Sequence, residues 1–181
     1  MSSVRHNLVL IGMPGAGKST LGRSLAERLG LGFTDTDAVI ERAEGTTLQA
    51  IVDGRGYRAL RALEADHLTG LQRRGHVIAT GGSAVYSPRA MQALAADGVL
   101  IHLHVDQSII LERVTDAATR GLARDADQSL ADLYAEREAL YRRYAELRVD
   151  VGRLDRAAAT QAVIKALRRS WAPRLAFPLA Y

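Results

Sequence analysis

Eight residues constrain this chain more than any others. Gly12-Met13-Pro14-Gly15-Ala16-Gly17-Lys18-Ser19 fits the pattern G-x-x-x-x-G-K-[ST]. The four residues before it, Leu8-Val9-Leu10-Ile11, form a continuous apolar run of the kind a strand buried on both faces requires. After it, Leu21, Leu25 and Leu29 recur at four-residue steps and so share one helical face, and Gly30 supplies a stop. Strand, glycine-rich loop and helix are the setting in which such a loop cradles phosphate. Its glycines let backbone N–H groups approach phosphate oxygens, and the helix N-terminus adds partial positive charge. Lys18 can then reach the β- and γ-phosphates, and the Ser19 hydroxyl can ligate Mg²⁺. Lys18 is one of only two lysines among 24 cationic residues. A compact ammonium fits where the planar fork of arginine would not.

The rest of the chain alternates in the same way. Residues 33–37, 76–80, 99–105 and 148–151 read as strands, and 57–72, 88–96, 107–114, 129–144 and 157–169 as helices, the second opened by Ser87-Pro88 as N-cap and first residue. Such alternation implies a parallel sheet covered by helices on both faces. Ligands of such sheets bind beyond the carboxyl ends of the strands, so the loops after Ile11, Asp37 and Thr80 are expected to converge. Residues 115–128, with Arg120, Gly121, Arg124 and Asp125, lack apolar periodicity and read as a surface loop or mobile lid. A single domain over 1–169 and a loosely attached tail over 170–181 complete the reading.

Asp35-Thr36-Asp37 ends the second strand, and alternation would point both carboxylates the same way. One can hold a Mg²⁺ water while the other accepts a proton from a substrate hydroxyl, or one can cap the following helix. Gly81-Gly82-Ser83 offers backbone N–H groups to a small ligand. Asp106, after the apolar run 99–105, is expected to cap a helix beginning near Gln107 rather than to bind magnesium. His102 and His104 share a face of the same strand, but no third ligand stands near them in sequence, so they are expected to be buried or edge histidines.

Composition narrows the function further. Cysteine is absent, which excludes disulfides, thiolate nucleophiles and cysteine-based metal sites. A net charge of +4 without a long basic run suits small anions better than nucleic acid. No run approaches the ~18 apolar residues needed to span a bilayer. No nucleic-acid or membrane partner is therefore expected, and the expected state is a cytoplasmic monomer.

With these pieces in order, the chain resembles the shikimate kinase family from about Asn7 to Leu167. The resemblance rests on residues 12–20, Asp35-Thr36-Asp37, Leu60-Arg61 with Glu64, Thr80-Gly81-Gly82, Thr119-Arg120-Gly121-Leu122, and Arg137 with Ala139-Leu140-Tyr141. It implies a P-loop, nucleoside-kinase-like three-layer α/β/α fold with a mobile lid, and ATP-dependent conversion of shikimate to shikimate 3-phosphate. It also implies that Gly12, Gly15, Ala16, Gly17, Lys18, Ser19 and Thr20 hold ATP, with Ser19 and Asp35 at Mg²⁺. By the same resemblance Asp37 holds substrate hydroxyls and acts as base, Arg61, Arg137, Gly81 and Gly82 bind shikimate, Arg120 closes over the phosphates, and Arg153 lies beside adenine. Glu64, three residues after Arg61 on one helix, is expected to orient its guanidinium.

The chain departs from the family pattern in three places. Ser83 stands where a third glycine is usual, Gly121 where the lid usually has proline, and Ala139 where proline precedes Leu-Tyr. Ser83 is the departure expected to narrow the acceptor pocket. It leaves open a kinase for another hydroxy acid such as gluconate, or a nucleotide-binding sensor without turnover.

Overall fold

The computed structural model describes residues 4–114 and 127–179. Five strands, β1 (Asn7–Ile11), β2 (Gly32–Asp35), β3 (His76–Ala79), β4 (Gly98–His104) and β5 (Leu147–Asp150), form one sheet in the order β2-β3-β1-β4-β5. Every pairing is parallel. The central strand β1 lies between β3 and β4, and all five of its residues are buried, as its unbroken apolar run requires.

Among the described residues seven α-helices cover the sheet: α1 (Lys18–Leu29), α2 (Thr36–Glu44), α3 (Leu48–Thr69), α4 (Pro88–Asp97), α5 (Gln107–Arg113), α6 (Leu130–Tyr144) and α7 (Arg156–Ser170). Helix α1 packs against β3, β2 and α7, while α3 packs against α2 and α4. Several ends fall where the sequence puts them. Gly30 closes α1 in the left-handed region, Ser87 accepts from Ala90 N–H with Pro88 at the first position of α4, and the Ser129 side chain caps α6. Helix α3 is broken at Gly56, whose φ of 79° no other residue type adopts readily, so the expected helix from Tyr57 is its second half.

Most apolar side chains form one core around β1, β3 and β4. A second, smaller core of Ile40, Ile51 and Leu60, walled by Leu48, Val52, Tyr57 and Leu63, lies between α2 and α3. Asp37 lies on α2, Arg61 and Glu64 on α3, Arg137 on α6, and Gly81 and Gly82 in the loop after β3.

Four expectations are corrected. The second strand stops at Asp35, and Asp37 lies in the first turn of α2, so strand alternation does not govern the pair. The reason is local: the Asp35 carboxylate accepts from the N–H of Asp37 at 3.1 Å and starts a helix. Residues 171–176 of the expected tail are not loosely attached. Trp171 is buried, Arg5 and Leu175 form a parallel bridge, and Arg5 is bonded on both sides, donating to Arg174 O and accepting from Ala176 N–H. Asp106 stands at the N-cap position of α5, but its side chain makes no capping bond and instead meets His104 Nε2 at 3.2 Å. Finally, His102 and His104 do have an acidic neighbour, Glu138 of α6, 36 residues beyond His102 in sequence. The lid expectation for 115–128, with Arg120, lies almost wholly outside the described residues.

Candidate active site

Beyond the carboxyl end of β1, the loop 12–17 turns into α1. Gly12 has φ 148°, and a Cβ there would lie 2.7 Å from the Leu103 carbonyl oxygen, so the loop can pass β4 only because position 12 has no side chain. Gly17 occupies the N-cap of α1 in the left-handed conformation with no side-chain cap, which leaves the first-turn N–H groups facing outward beside the exposed Ser19 and Thr20. Lys18 is buried, and its Nζ donates to the carbonyl oxygens of Gly12 at 2.7 Å and Met13 at 2.9 Å. Burial lowers its pKa to about 8, an effect partly countered by Asp37.

Two carboxylates act on this lysine, Asp37 from the first turn of α2 and Glu64 from α3. Burial pushes the Asp37 carboxyl up to about 6, against the pull of Lys18 and with smaller upward pushes from Asp35 and Glu41. Burial likewise raises Glu64 to about 7, while its hydrogen bond from Ser83 lowers it. Gly81, at the carboxyl end of β3, donates its N–H to Thr36 Oγ1 at 3.1 Å. A Cβ at Gly81 would collide with Glu64 Oε1 and come within 2.7 Å of Asp37 Oδ1, so a glycine here lets the two carboxylates approach.

Arg61 and Arg137 converge from different helices onto a residue that the sequence does not single out. The Arg61 guanidinium lies over the Tyr86 ring at 3.6 Å from its centroid, and that of Arg137 at 5.5 Å. Arg137 is almost wholly buried, and a Cβ at Gly82 would sit 2.7 Å from its Nη1. Tyr141, one turn along α6, donates to the Gly82 carbonyl at 2.7 Å and ties this loop to the helix. The two guanidiniums thus gather on Tyr86, and that of Arg137 acts on Lys18 and meets Gly82, next to the Gly81 that lies against Asp37. Such forks pair well with a planar carboxylate.

A separate cleft runs along the other side of the loop. Ala16, Gly17, Thr20, Leu154, Asp155 and Arg156 line it, with Arg113 at its edge. Arg113 bridges the phosphate loop to the turn after β5, donating to Gly15 O at 3.2 Å and Gly152 O at 2.6 Å. Arg153 is exposed on that same turn. Neither Arg113 nor Tyr86 carries a sequence signal, because each owes its place to contacts remote in sequence.

Ser83 is buried beside Glu64. Its backbone is right-handed helical, φ −93° and ψ −3°, which requires no glycine, and its hydroxyl donates to the Glu64 carboxylate. Glu64, expected to orient Arg61, is thus held by Ser83, and the charges acting on it most are Asp37, Arg137 and Lys18. Ser83→Gly is expected to change the acceptor KM by less than about threefold while lowering the melting temperature, because a buried carboxylate loses its donor at a cost of about 1–3 kcal/mol. Steady-state kinetics beside a thermal melt would check this. A tenfold change in KM without destabilisation would place Ser83 in the pocket after all.

A parallel sheet in the order 2-3-1-4-5, with a phosphate loop after its central strand and acidic and basic groups on the adjoining loops, defines a P-loop kinase of small molecules. Comparison with known proteins narrows the class: a family model described as shikimate kinase matches residues 14–168, and the chain belongs to the shikimate kinase family. The shikimate kinase of Halorhodospira halophila is 43% identical over 148 residues, covering 79% of this chain and 82% of that protein. That of Xanthomonas euvesicatoria pv. vesicatoria is 38% identical over 168 residues, covering 91% and 93%. Among solved structures, the Acinetobacter baumannii shikimate kinase in complex with shikimate superposes with a TM-score of 0.80 at 32% identity, covering 92% of this chain and 96% of that one. As a member of this family the chain is an ATP-dependent kinase. Among the described residues no helix is long and apolar enough to cross a membrane.

Proposed function

We propose that this chain phosphorylates shikimate, with Asp37 holding and deprotonating the acceptor hydroxyl and Arg61 and Arg137 gripping the acceptor carboxylate. The observation that carries this reading is that Asp37 and Arg137 both act on the buried Lys18 and meet the adjacent residues Gly81 and Gly82. Lys18 is the largest attractive charge on Asp37, and Arg137 acts on both Lys18 and Glu64. A hydroxy acid lying across these residues has its carboxylate at the guanidiniums and a hydroxyl at Asp37. A neutral sugar would leave the two guanidiniums unanswered.

ATP is assigned to the loop 12–20, its phosphates on the first-turn N–H groups of α1 and its base in the cleft beside Arg113, Arg156 and the turn bearing Arg153. When phosphates arrive, Lys18 exchanges two carbonyl partners for anionic oxygens, which restores the charged state that burial disfavours. The donors near Ser19 and Asp35 are a hydroxyl and a carboxylate, hard oxygens too few to enclose a cation alone. They suit Mg²⁺, which keeps waters and takes the remaining ligands from phosphate. When bound there, Mg²⁺ would neutralise charge developing on the transferred group. Arg120 is assigned to the same group from outside the described residues.

Phosphoryl transfer asks the protein mainly for position and for charge stabilisation. The acceptor hydroxyl must lie in line with the γ-phosphoryl, and the two arginines fix that geometry by holding the other end of the molecule. Asp37 takes the hydroxyl proton as the new O–P bond forms. A carboxyl near 6 is mostly ionised at pH 7 and remains basic enough for that task. The proton must be absent for the base to work, so kcat/KM for the acceptor is expected to fall about tenfold per pH unit below about 6 and to level off above 7. An acid limb that persists in Asp37→Asn would assign it to another group.

The direct test is ATP turnover by the purified protein with Mg²⁺, with and without shikimate, followed by mass detection of the product. Shikimate-dependent turnover giving a product one phosphoryl group heavier supports the reading. ATP binding without acceptor-dependent turnover would remove shikimate as substrate.

A further inference from the structure

His102 and His104 of β4 and Glu138 of α6 form a cluster that phosphoryl transfer does not use. The two histidines are 1% and 6% exposed, and the Glu138 side chain is 12% exposed. Glu138 Oε2 lies 3.4 Å from His102 Nε2, and Glu138 Oε1 lies 3.4 Å from His104 Nδ1. One ligand atom from each residue falls within 4.8 Å of the other two. Ligands of a tetrahedral ion with bonds of about 2.0–2.1 Å stand roughly 3.3 Å apart, close to both of these separations.

His104 points to an ion. Its Nε2 lies 3.2 Å from Asp106 Oδ1, a carboxylate that can accept the ring proton and leave the Nδ1 lone pair free. That Nδ1 is buried, has no hydrogen-bond partner and faces a Glu138 oxygen. In that tautomer two electron-rich atoms oppose each other in a buried site, an arrangement that a cation between them relieves. A carboxylate that fixes the far nitrogen of an imidazole is also the arrangement that orients metal-bound histidines. His102 presents its Nε2 to the other oxygen of the Glu138 carboxylate.

We propose that His102, His104 and Glu138 bind one Zn²⁺ ion, with water completing the coordination, at a site distinct from the kinase's Mg²⁺. Two imidazoles and a carboxylate suit a borderline ion such as zinc, whereas Mg²⁺ prefers oxygen alone. The ion joins β4 to α6 beside Arg137 and next to Tyr141, whose ring lies 5.1 Å from that of His102. Its role is therefore to brace the helix that grips the acceptor. Arg142 Nε, 2.9 Å from Glu138 Oε1, belongs to a side chain that is 62% exposed, and it swings into solvent when the ion enters. Arg148, 3.9 Å from the same oxygen, is the other cation facing the site.

The test is titration of chelator-treated, full-length protein with ZnCl₂ in the absence of nucleotide, and with Co²⁺ as a spectroscopic probe. About one zinc per chain is expected, with a Kd below about 10 μM, together with visible Co²⁺ bands of a four- or five-coordinate site. His104→Gln and Glu138→Gln should each weaken zinc binding by about 100-fold or more, and Asp106→Asn by roughly tenfold. His67→Gln, whose ring sits against Glu44, should bind zinc like the parent. The parent titration decides the matter even if a variant folds poorly. No stoichiometric uptake by the parent, or equal uptake by His104→Gln and Glu138→Gln folded by circular dichroism, would overturn the proposal. Overturning would also follow from His104 carrying both ring protons at pH 7 by NMR in protein that takes up no zinc, since an imidazolium between Glu138 and Asp106 accounts for the same geometry.

Discussion

Asp37→Asn is expected to lower kcat for acceptor phosphorylation by about 10³-fold while leaving Mg·ATP affinity within about twofold. Asparagine keeps the shape and the first-turn position in α2 but can neither accept the proton nor attract Lys18. The same change should stabilise the fold at pH 8. The folded-state pKa of Asp37, about 6, lies above its ordinary value of 3.8, so the folded chain prefers the protonated carboxyl. The stability linked to that preference is complete below about pH 4 and is lost as pH rises through 6. Asparagine removes a charge that is unfavourable above that range, a gain on the order of 1–2 kcal/mol at pH 8 that disappears at pH 4. Rapid-quench kinetics, nucleotide titration and melts at both pH values check each part. Unchanged turnover would end the assignment of Asp37 as base.

Arg137→Ala is the other large effect. The acceptor KM should rise roughly 100-fold or more, with the KM for ATP little changed, because a bidentate charge-assisted pair with a carboxylate is worth about 3 kcal/mol. Arg137→Lys should recover only part of the loss, since it restores the charge without the planar fork. Because Arg137 is buried and acts on Glu64 and Lys18, the alanine variant is also expected to melt at a lower temperature. The split between acceptor and nucleotide KM distinguishes lost grip from general disorder. A rise of less than threefold in acceptor KM would remove Arg137 from the carboxylate site.

The parts of the molecule legible in the sequence are those whose causes are local. The loop 12–19 announces itself because glycine, lysine and serine must stand at fixed spacing for backbone amides to meet phosphate. The strands β1 and β4 are legible because burial on both faces demands near-continuous apolar runs, interrupted in β4 by His102 and His104, and the caps Ser87 and Ser129 because a side chain reaches its own helix three residues on. What escapes is set by distance along the chain. Asp35 ends its strand by bonding to Asp37, a choice between two local structures that alternation alone does not resolve. The partner of the Ser83 hydroxyl, the carboxylate of Glu64, stands 19 residues away. Tyr86 and Arg113 acquire meaning only from guanidinium stacking and from a bridge between two loops. The docking of the C-terminal segment on Arg5 joins opposite ends of the chain, beyond the reach of any periodicity.

The small core between α2 and α3 bears on how such an enzyme can change its acceptor. Ile40, Ile51 and Leu60 bury one another apart from the sheet, so repacking there need not disturb the strands that carry the phosphate loop. Descendants of one nucleotide-binding frame can therefore reshape this lobe by successive substitutions, each tolerated locally, while the chemistry at Lys18 is inherited intact.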